Sequence, residues 1–275
     1  MCWLTQRRWP WIVPWMIRLY VRLFRVNLGE AANPDPQSYS SFNAFFTRSL
    51  RAGTRPMPTM ANAIASPVDG RISQIGVIEQ DQLIQAKGQD YALEALLGGN
   101  QALAAPFRNG LFATLYLSPG DYHRIHMPCA GRLRQTILVP GRLFSVNPTT
   151  VAAVPGLFAR NERVICVFDS QAGPMILVLV GAIFVGSIET IWSGRLTPPR
   201  ARTMRIEPAG DEDPSLDQGE ELGRFNMGST VILLLPAQRA RWEPALQPGA
   251  TLRCGQTIGH WQPLFPDGQS RSGQD

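Results

Sequence analysis

The stretch MILVLVGAIFVG at 175–186 is apolar over 12 residues and follows Gly173 and Pro174. A helix that crosses a bilayer needs roughly 20 predominantly apolar residues, so this run is too short to span one. A short, uninterrupted apolar run next to Gly and Pro is instead typical of a strand buried on both faces of a sheet. The stretch therefore predicts a β-sheet at the core of the protein.

Similar runs of β-branched and apolar residues, punctuated by Gly and Pro, continue along the chain in both directions. Together with the run at 175–191 they cover 70–78, 82–86, 110–118, 131–146, 162–169, 229–235 and 251–260. This spacing predicts a mainly β (α+β) protein, either an antiparallel sandwich or a partly closed barrel. Helical patterns are confined to the N-terminal segment, to about 40–50 and to 91–97. The acidic stretch 207–221 is expected to be an exposed loop.

The positive charge of the chain is concentrated at its N-terminus. The net charge is +5, and five arginines precede Glu30, the first acidic residue. The remaining residues, 29–275, hold 21 basic and 21 acidic residues. A balanced body argues against a nucleic-acid groove and for an anionic partner at the N-terminus alone.

The segment 9–28 is rich in Trp and aliphatic residues, but arginines interrupt it too often for a bilayer span. At about 100° per residue, a helix here places Arg18, Arg22 and Arg25 in one narrow stripe with apolar residues around the rest. This pattern predicts an interfacial helix whose arginines reach anionic lipid phosphates. The alternatives are an amphipathic helix packed on the protein's own core, or a signal peptide. No convincing small-residue cleavage site supports the latter.

The four cysteines are widely spaced and form no CxxC pair. Most lie in apolar surroundings, which predicts buried free thiols in a reducing compartment.

Three local motifs hold candidate chemical groups. DYHRIHMP at 121–128 contains His123 and His126, SPVDG at 66–70 contains Asp69, and GST at 228–230 precedes an apolar strand. Taken singly, they are compatible with structural histidines at a strand edge and with ordinary turns before strands. A zinc site would need more ligands, for which only His260 and scattered acids are available. The GST motif also lacks the second glycine of a G-x-S-x-G hydrolase elbow.

Taken together and in order, the motifs of 60–260 resemble those of the bacterial phosphatidylserine decarboxylases. The matching stretches are PVDG at 67–70, QAKG at 85–88, 93–100, DYHRIHMP at 121–128, RNERVIC at 160–166, GSIETIW at 186–192, TPPR at 197–200 and GRFNMGST at 223–230. One departure is Met227, where the family's LGST motif has leucine. Leucine to methionine keeps volume and apolarity, so the cleavage pair is unaffected.

The resemblance implies that the chain cuts itself between Gly228 and Ser229 into two chains, 1–228 and 229–275. The Ser229 hydroxyl attacks the preceding carbonyl, and elimination and hydrolysis then leave a pyruvoyl group at the start of the second chain. Decarboxylation at Cα needs an electron sink joined to the amine as a Schiff base, and a pyruvoyl group is one such sink. Pyridoxal phosphate, the other, needs a lysine, and Lys87 is the only lysine in the chain. The cofactor implied is thus a pyruvoyl group derived from Ser229.

The resemblance also assigns roles to individual residues. His126 is the base that takes the proton of Ser229, and Asp69 holds its imidazole in the correct tautomer. His123 resembles the residue that serves decarboxylation, by positioning substrate and delivering a proton to Cα. Nothing in the spacing distinguishes the two histidines. Two further residues match family positions near the substrate headgroup: Tyr116 and Ser145.

As partners, the resemblance implies a phospholipid membrane and phosphatidylserine, which would be converted to phosphatidylethanolamine and CO2. Segment 1–58 would dock on the cytoplasmic face of the inner cell membrane, where the protein is peripheral, and 59–275 would form the β-rich catalytic domain. A homodimer is a family-based expectation. The rival functions are a pyruvoyl-dependent decarboxylase of a soluble amino acid and a non-catalytic membrane-binding β module. The amphipathic N-terminus disfavours the first, and the intact site residues disfavour the second.

Overall fold

The structure is a computed structural model that describes residues 9, 11–86, 88–171, 173–183, 187–197, 203–210, 214–226 and 229–262, with Ser229 described in its backbone only. The helices are α1 Ile12–Phe24, α2 Phe42–Phe46, α3 Leu93–Leu96, α4 Gln101–Ala104, α5 Pro148–Ala153 and α6 Leu157–Arg160, with 3₁₀ turns at Leu28–Glu30, Pro36–Ser38 and Ala105–Phe107. The strands are β1 Ala63–Ala65, β2 Gly70–Val77, β3 Gln82–Ala86, β4 Gln89–Ala92, β5 Leu111–Leu117, β6 Arg124–His126, β7 Gly131–Val139, β8 Arg163–Ser170, β9 Gly173–Val180, β10 Ile188–Thr190, β11 Gly194–Arg195, β12 Arg205–Pro208, β13 Ser215–Leu216, β14 Glu221–Phe225, β15 Ser229–Leu235, β16 Ala240–Trp242, β17 Thr251–Leu252 and β18 Thr257–Trp261.

A large antiparallel sheet forms the centre of the described fold. Its strand order is β12-β7-β8-β9-β15-β5-β2-β17, with β13 also paired to β7. Smaller sheets have the orders β11-β10-β14-β6, β1-β18-β16 and β3-β4. The described strands form no closed barrel, and the mainly β prediction is confirmed.

The central strands are buried on both faces, which explains their uninterrupted apolar sequences. Along β9, Met175, Leu177 and Leu179 belong to one hydrophobic cluster, while Ile176 and Val178 belong to another. The first cluster also takes residues from the two smaller sheets that contain β14 and β18, and the second takes residues from α3, α5 and α6. Because side chains alternate along a strand, each face of the sheet is covered by its own layer.

Most of the predicted strands form, but three of the longer runs differ from the prediction. The run 131–146 ends as a strand at Val139, and 251–260 divides into β17 and β18. The run 175–191 divides into β9 and β10, which lie in different sheets. The expectation that 207–221 is a loop is wrong in part, since its ends belong to β12 and β14 and β13 lies within it. Pairing partners brought by the fold, rather than local composition, decide these boundaries.

Helix α1 has one buried and one exposed apolar side. Val13 and Ile17 are buried against a cluster that includes Phe42, Phe45 and Phe46. Trp11, Trp15 and Leu23 expose 90%, 62% and 69% of their surface. Packing on the protein's own core and an exposed amphipathic surface therefore occur in the same helix. No described helix combines the length and apolarity that a membrane crossing requires.

Candidate active site

The segment that leads into DYHRIHMP and the segment that ends in GRFNMGST approach each other at two points. At one point the backbone of Ser229 is paired in register with Leu117, where β15 meets β5. At the other, the Phe225 N–H donates to the carbonyl oxygen of His123 at 3.0 Å. The chain between Phe225 and Ser229 thus connects two positions that lie on either side of the loop 118–122. Gly228 itself lies outside the described residues.

His126 is held in one tautomer by the backbone. Its Nδ1 is 2.8 Å from the carbonyl oxygen of Gly219, which can only accept, so Nδ1 carries the hydrogen. Nε2 therefore has the lone pair, and the Tyr122 hydroxyl, 2.9 Å away, donates to it. Burial lowers the pKa of His126 below the ordinary histidine value, while smaller effects of Gly219 and nearby carboxylates oppose this. The ring is consequently a neutral base near pH 7.

His123 is fully buried and differs from His126 at Nε2. Its Nδ1 donates to the Asp121 carbonyl oxygen at 2.9 Å, and its ring centroid lies 4.1 Å from that of Phe46. Its Nε2 has no hydrogen-bond partner among the described residues. Burial lowers the pKa of His123 to about 3. His123 is therefore neutral, with an unused lone pair inside the protein.

Asp69 is bound by an arginine that the sequence did not single out. Its carboxylate accepts from Arg55 Nε at 2.8 Å and Arg55 Nη2 at 2.5 Å, and from the Cys254 N–H at 2.8 Å. The expected hydrogen bond from His126 to Asp69 is not among those of the described residues, because Gly219 and Tyr122 contact the two ring nitrogens. Gly219, rather than Asp69, sets the tautomer. The Asp69 carboxylate acts on His126 only by its charge, which slightly raises the pKa of that imidazole.

The glycine after Asp69 is required by the close approach of two strands. A Cβ at Gly70 would lie 2.4 Å from the carbonyl oxygen of Tyr116, well inside van der Waals contact. Gly70 therefore allows β2 to pair with β5 directly beside the pairing of Tyr116 with Thr230. This places Asp69 next to the end of β5 that meets the start of β15.

Tyr116 lines a cleft of about 290 Å³. The neighbours of Ser145 line the same cleft through Val146 and Pro148, although Ser145 is not itself among the lining residues. The Ser145 hydroxyl accepts from the Asn147 N–H at 3.4 Å. Burial, reinforced by Asp121, raises the pKa of Tyr116, so its hydroxyl stays protonated. The structure thus brings Tyr116 close to β15 and puts Ser145 beside the cleft that Tyr116 lines.

A polar network that sequence reasoning missed holds the residue two positions before Gly228. Asn226 donates to the Ser187 hydroxyl at 2.6 Å and to Glu189 at 3.2 Å, and accepts from Asn43 at 2.9 Å. Arg224 also pairs with Glu189 at 2.9 Å. These residues connect the motifs GSIETIW and GRFNMGST, so their presence in two matching motifs was the available signal. The network holds the chain at Asn226, just before the predicted cleavage pair.

Comparison with known proteins assigns the family. The family model described as phosphatidylserine decarboxylase matches residues 42–260. Proteins named phosphatidylserine decarboxylase proenzyme are similar over most of the chain. The one from Nitrosococcus oceani is 55% identical over 257 residues, covering 93% of this chain and 84% of the relative. Those from Albidiferax ferrireducens and Yersinia enterocolitica are 56% and 50% identical, covering 90% and 96% of this chain and 87% and 92% of the relatives. The chain belongs to the phosphatidylserine decarboxylase family.

Proposed function

We propose that this chain decarboxylates phosphatidylserine to phosphatidylethanolamine and CO2 after cutting its own backbone between Gly228 and Ser229. The observation that carries the proposal is the double approach of the two segments, at Leu117 with Ser229 and at His123 with Phe225. It brings the segment 118–123, which ends at His123, to the start of β15. Membership of a family whose relatives are named proenzymes supports the same reaction.

The proposed cofactor is a pyruvoyl group made from Ser229, whose carbonyl would supply the electron sink for the charge left at Cα when CO2 departs. The surrounding residues fit such a group in one respect: the unpartnered Nε2 of His123 is a buried polar atom without a ligand among the described residues. An unpartnered buried acceptor has a free-energy cost unless a donor arrives. An incoming amine is a donor of the required kind.

In self-cleavage, His126 takes the proton of the serine hydroxyl. Its Nδ1–H is anchored on Gly219, which leaves the Nε2 lone pair as the basic site. Because Nε2 has a single lone pair, Tyr122 must release it before a proton is accepted there. Asp69 supports the charged imidazole electrostatically, and Arg55 fixes the position of that carboxylate.

In decarboxylation, His123 accepts and returns one proton. The serine headgroup arrives with an ammonium group, which must lose a proton before its nitrogen would be nucleophilic toward the pyruvoyl carbonyl, whose oxygen would leave as water. The His123 Nε2 lone pair can take that proton once substrate is bound, because the substrate carboxylate beside it favours the charged imidazole and offsets the burial that lowers the pKa of this ring. After CO2 leaves, the same nitrogen returns a proton to Cα, and the imidazole is neutral again. Tyr116 and Ser145 remain our candidates for contacts to the headgroup.

Residues 1–58 are proposed to dock the protein on the membrane, and 59–275 to hold the chemistry. The exposed apolar side of α1 suits the interface of a bilayer, because Trp and aliphatic side chains enter it while the arginines stay at headgroup level. A peripheral location on the cytoplasmic face of the inner membrane and a homodimer belong to the same proposal. The exposed side of α1 disfavours the alternative of a soluble amino-acid substrate.

A denaturing gel of the purified protein tests self-cleavage. We expect a 228-residue chain and a 47-residue chain with a blocked N-terminus, whereas Ser229→Ala should give one uncut chain of 275 residues. Edman sequencing that reads serine at the start of the small chain would contradict the proposal. Release of CO2 from phosphatidylserine vesicles, compared with free serine, tests the substrate. Faster release from free serine would favour the soluble alternative.

A further inference from the structure

A second cleft, of about 230 Å³, lies at the end of α1 on the Asp69 side of the site. It is bounded by arginines and acids together with residues of the segment 118–123, and its lining is Arg25, Asn27, Glu30, Arg48, Leu50, Arg55, Asp69, Gly120, Asp121, Tyr122, Thr251, Leu252 and Arg253. Four of these residues are arginines and three are carboxylic acids. The cleft is therefore strongly polar at a place where a membrane-docking helix ends.

Arg48 is the unusual member of this cleft, because it is a buried cation with unsatisfied hydrogen-bonding capacity. The residue is only 5% exposed, and its guanidinium lies 5.2 Å from the centre of the Phe45 ring. One long hydrogen bond, of 3.4 Å, joins Nη2 to the carbonyl oxygen of Gly120. Its Nε has no hydrogen-bond partner among the described residues. Since guanidinium has five N–H donors, several remain for a ligand.

The carboxylates of the cleft are engaged by other groups. Arg55 pairs with both Glu30, at 2.7 Å, and Asp69, at 2.5 Å. Arg253 also reaches Glu30, at 3.4 Å. Asp121 accepts the Ser118 N–H at 2.6 Å, and burial raises the pKa of its carboxyl group. Among the ion pairs of the described residues, none includes Arg48, and Asp69 and Asp121 act on it only by their charge. Its N–H donors are therefore open to an anion that enters the cleft.

We infer that this cleft binds the phosphate oxyanion of a phospholipid headgroup, with Arg48 as the buried cation and Arg25 and Arg253 at the mouth. Arginine is well suited to phosphate, because its planar fork can donate two hydrogen bonds to one group. An anion would also offset the desolvation that lowers the pKa of Arg48. The inference rests on the proposed function for the identity of the lipid, phosphatidylserine.

The position of the cleft favours a lipid phosphate over free phosphate. Arg25 directly follows α1, and Gly120 approaches Phe24 so closely that a Cβ would lie 2.7 Å from the Phe24 carbonyl oxygen. The exposed Leu23 and Phe24 are therefore adjacent to the mouth of the cleft. Gly120 lies in the loop between Leu117, which pairs with Ser229, and His123. A phosphate held here would have acyl chains on the α1 side and the serine moiety on the histidine side.

Binding is measured in the full-length Ser229→Ala protein, so that neither cleavage nor turnover affects the result. The probes are glycerophosphoserine, inorganic phosphate and free serine. Isothermal titration calorimetry measures the affinity of each. The variants are Arg48→Gln, Arg48→Lys and Arg25→Gln. Arg22→Gln is the matched control, because it removes an exposed arginine of α1 that does not line the cleft. The melting temperature of each variant reports whether it folds.

We expect glycerophosphoserine to bind more tightly than serine, and Arg48→Gln to weaken it by about 10- to 100-fold, as expected for a hydrogen bond to a charged group. Arg48→Lys should restore part of that loss, Arg25→Gln should weaken binding several-fold, and Arg22→Gln should match the parent. Equal affinity in folded Arg48→Gln, or serine binding as tightly as glycerophosphoserine, would overturn the site. Binding of inorganic phosphate alone would overturn the lipid assignment.

If Arg48→Gln does not fold, the double variant Arg25→Gln/Arg253→Gln, both at exposed positions, decides the question by the same titration. These measurements distinguish failure of the proposed phosphate site from failure of the proposed function. Arg48-dependent binding in a chain that never decarboxylates phosphatidylserine would refute the function and leave the site. Decarboxylation by Arg48→Gln with unchanged KM would refute the site and leave the function.

Discussion

The two histidines of DYHRIHMP are both neutral and both anchored through Nδ1, yet their Nε2 atoms face different surroundings. His126 Nε2 accepts from Tyr122, whereas His123 Nε2 is buried with no partner among the described residues. Both rings donate to backbone carbonyls, of Gly219 and Asp121. Their difference in role therefore depends on what each lone pair can reach.

Replacing each histidine with alanine should separate self-cleavage from turnover. His126→Ala should slow cutting at Gly228-Ser229 by about 10²- to 10⁴-fold, the usual contribution of a positioned base. His123→Ala should still cut, but its kcat should fall by a similar factor of about 10²- to 10⁴-fold, because proton transfer is lost. A loss of headgroup contact alone would appear mainly in KM. Denaturing gels measure the rate of cutting, and CO2 release measures kcat and KM.

Tyr122→Phe is the companion variant, since it frees His126 Nε2 without changing the ring packing. It should cut at least as fast as the parent. An uncut His123→Ala protein, or normal cutting by His126→Ala, would show that the roles are reversed.

The pH dependence of cutting follows from the buried state of His126. Only the neutral ring can accept a proton, and burial lowers its pKa below the ordinary value of 6.5. The cleavage rate of freshly refolded precursor should therefore keep its plateau to a lower pH than an ordinary histidine would allow, with its midpoint below pH 6.5. It should then fall about tenfold per pH unit below the pKa of His126. A rate that is already half-maximal above pH 7 would contradict a neutral His126 base.

Helix α1 is the element whose two sides have different surroundings, one buried in the protein and one exposed. It begins with Pro14 in its first turn, where a missing N–H has no cost, and ends at Arg25 with a positive φ of 52°. Its buried side, with Val13 and Ile17, shares a cluster with Phe46, and Phe46 contacts His123. Deleting residues 1–28 would consequently disturb the candidate active site as well as the proposed membrane contact.

Substitutions on the two sides of α1 should affect different properties. Trp15→Ser/Leu19→Ser/Leu23→Ser changes exposed residues, so we expect liposome binding to weaken by at least about 100-fold, from the apolar area lost to the bilayer. Self-cleavage and melting temperature should be unchanged. Val13→Ser/Ile17→Ser should instead lower the free energy of unfolding by about 3 kcal/mol or more. Vesicle sedimentation and thermal unfolding measure the two effects. Unweakened sedimentation of the triple variant would refute the interfacial helix.

On the scale of the whole molecule, the proposed cut leaves the small chain inside the central sheet. β15 pairs with β5 over its full length and with β9 on its other edge. Val231 to Leu235 are fully buried, and they contribute to the clusters on both faces. Backbone hydrogen bonds and apolar contacts therefore hold the chain without the peptide bond.

The two chains should remain associated after cutting. Size-exclusion chromatography in native buffer should give one peak containing both, with the same elution volume as Ser229→Ala. Separation should require denaturant, because removing β15 opens the centre of the sheet. Elution of the 229–275 chain as a separate species in native buffer would contradict this prediction.

The sequence by itself determined the family and most of the strands. Runs at 70–78, 82–86, 110–118 and 229–235 form strands close to their predicted bounds, because Gly, Pro or polar residues end each apolar run. The composition of MILVLV predicts its full burial, because a strand without polar residues has no side that suits water and is covered on both faces. The order of the motifs along the chain carried the family resemblance, which implies a shared site for the candidate residues. Gly228 lies outside the described residues, so the cleavage pair stays a prediction.

Tertiary structure alone decided the partners of the site residues. Asp69 bonds the Cys254 N–H, 185 positions away, and His126 bonds Gly219, 93 positions away. Such contacts depend on how the strands are ordered in the sheets, which local patterns do not specify. The same reason explains why 175–191 contributes to two sheets and why Arg48 became a buried cation. Hydrophobic periodicity determines which face of an element is buried, but only the assembled fold determines which polar groups meet there.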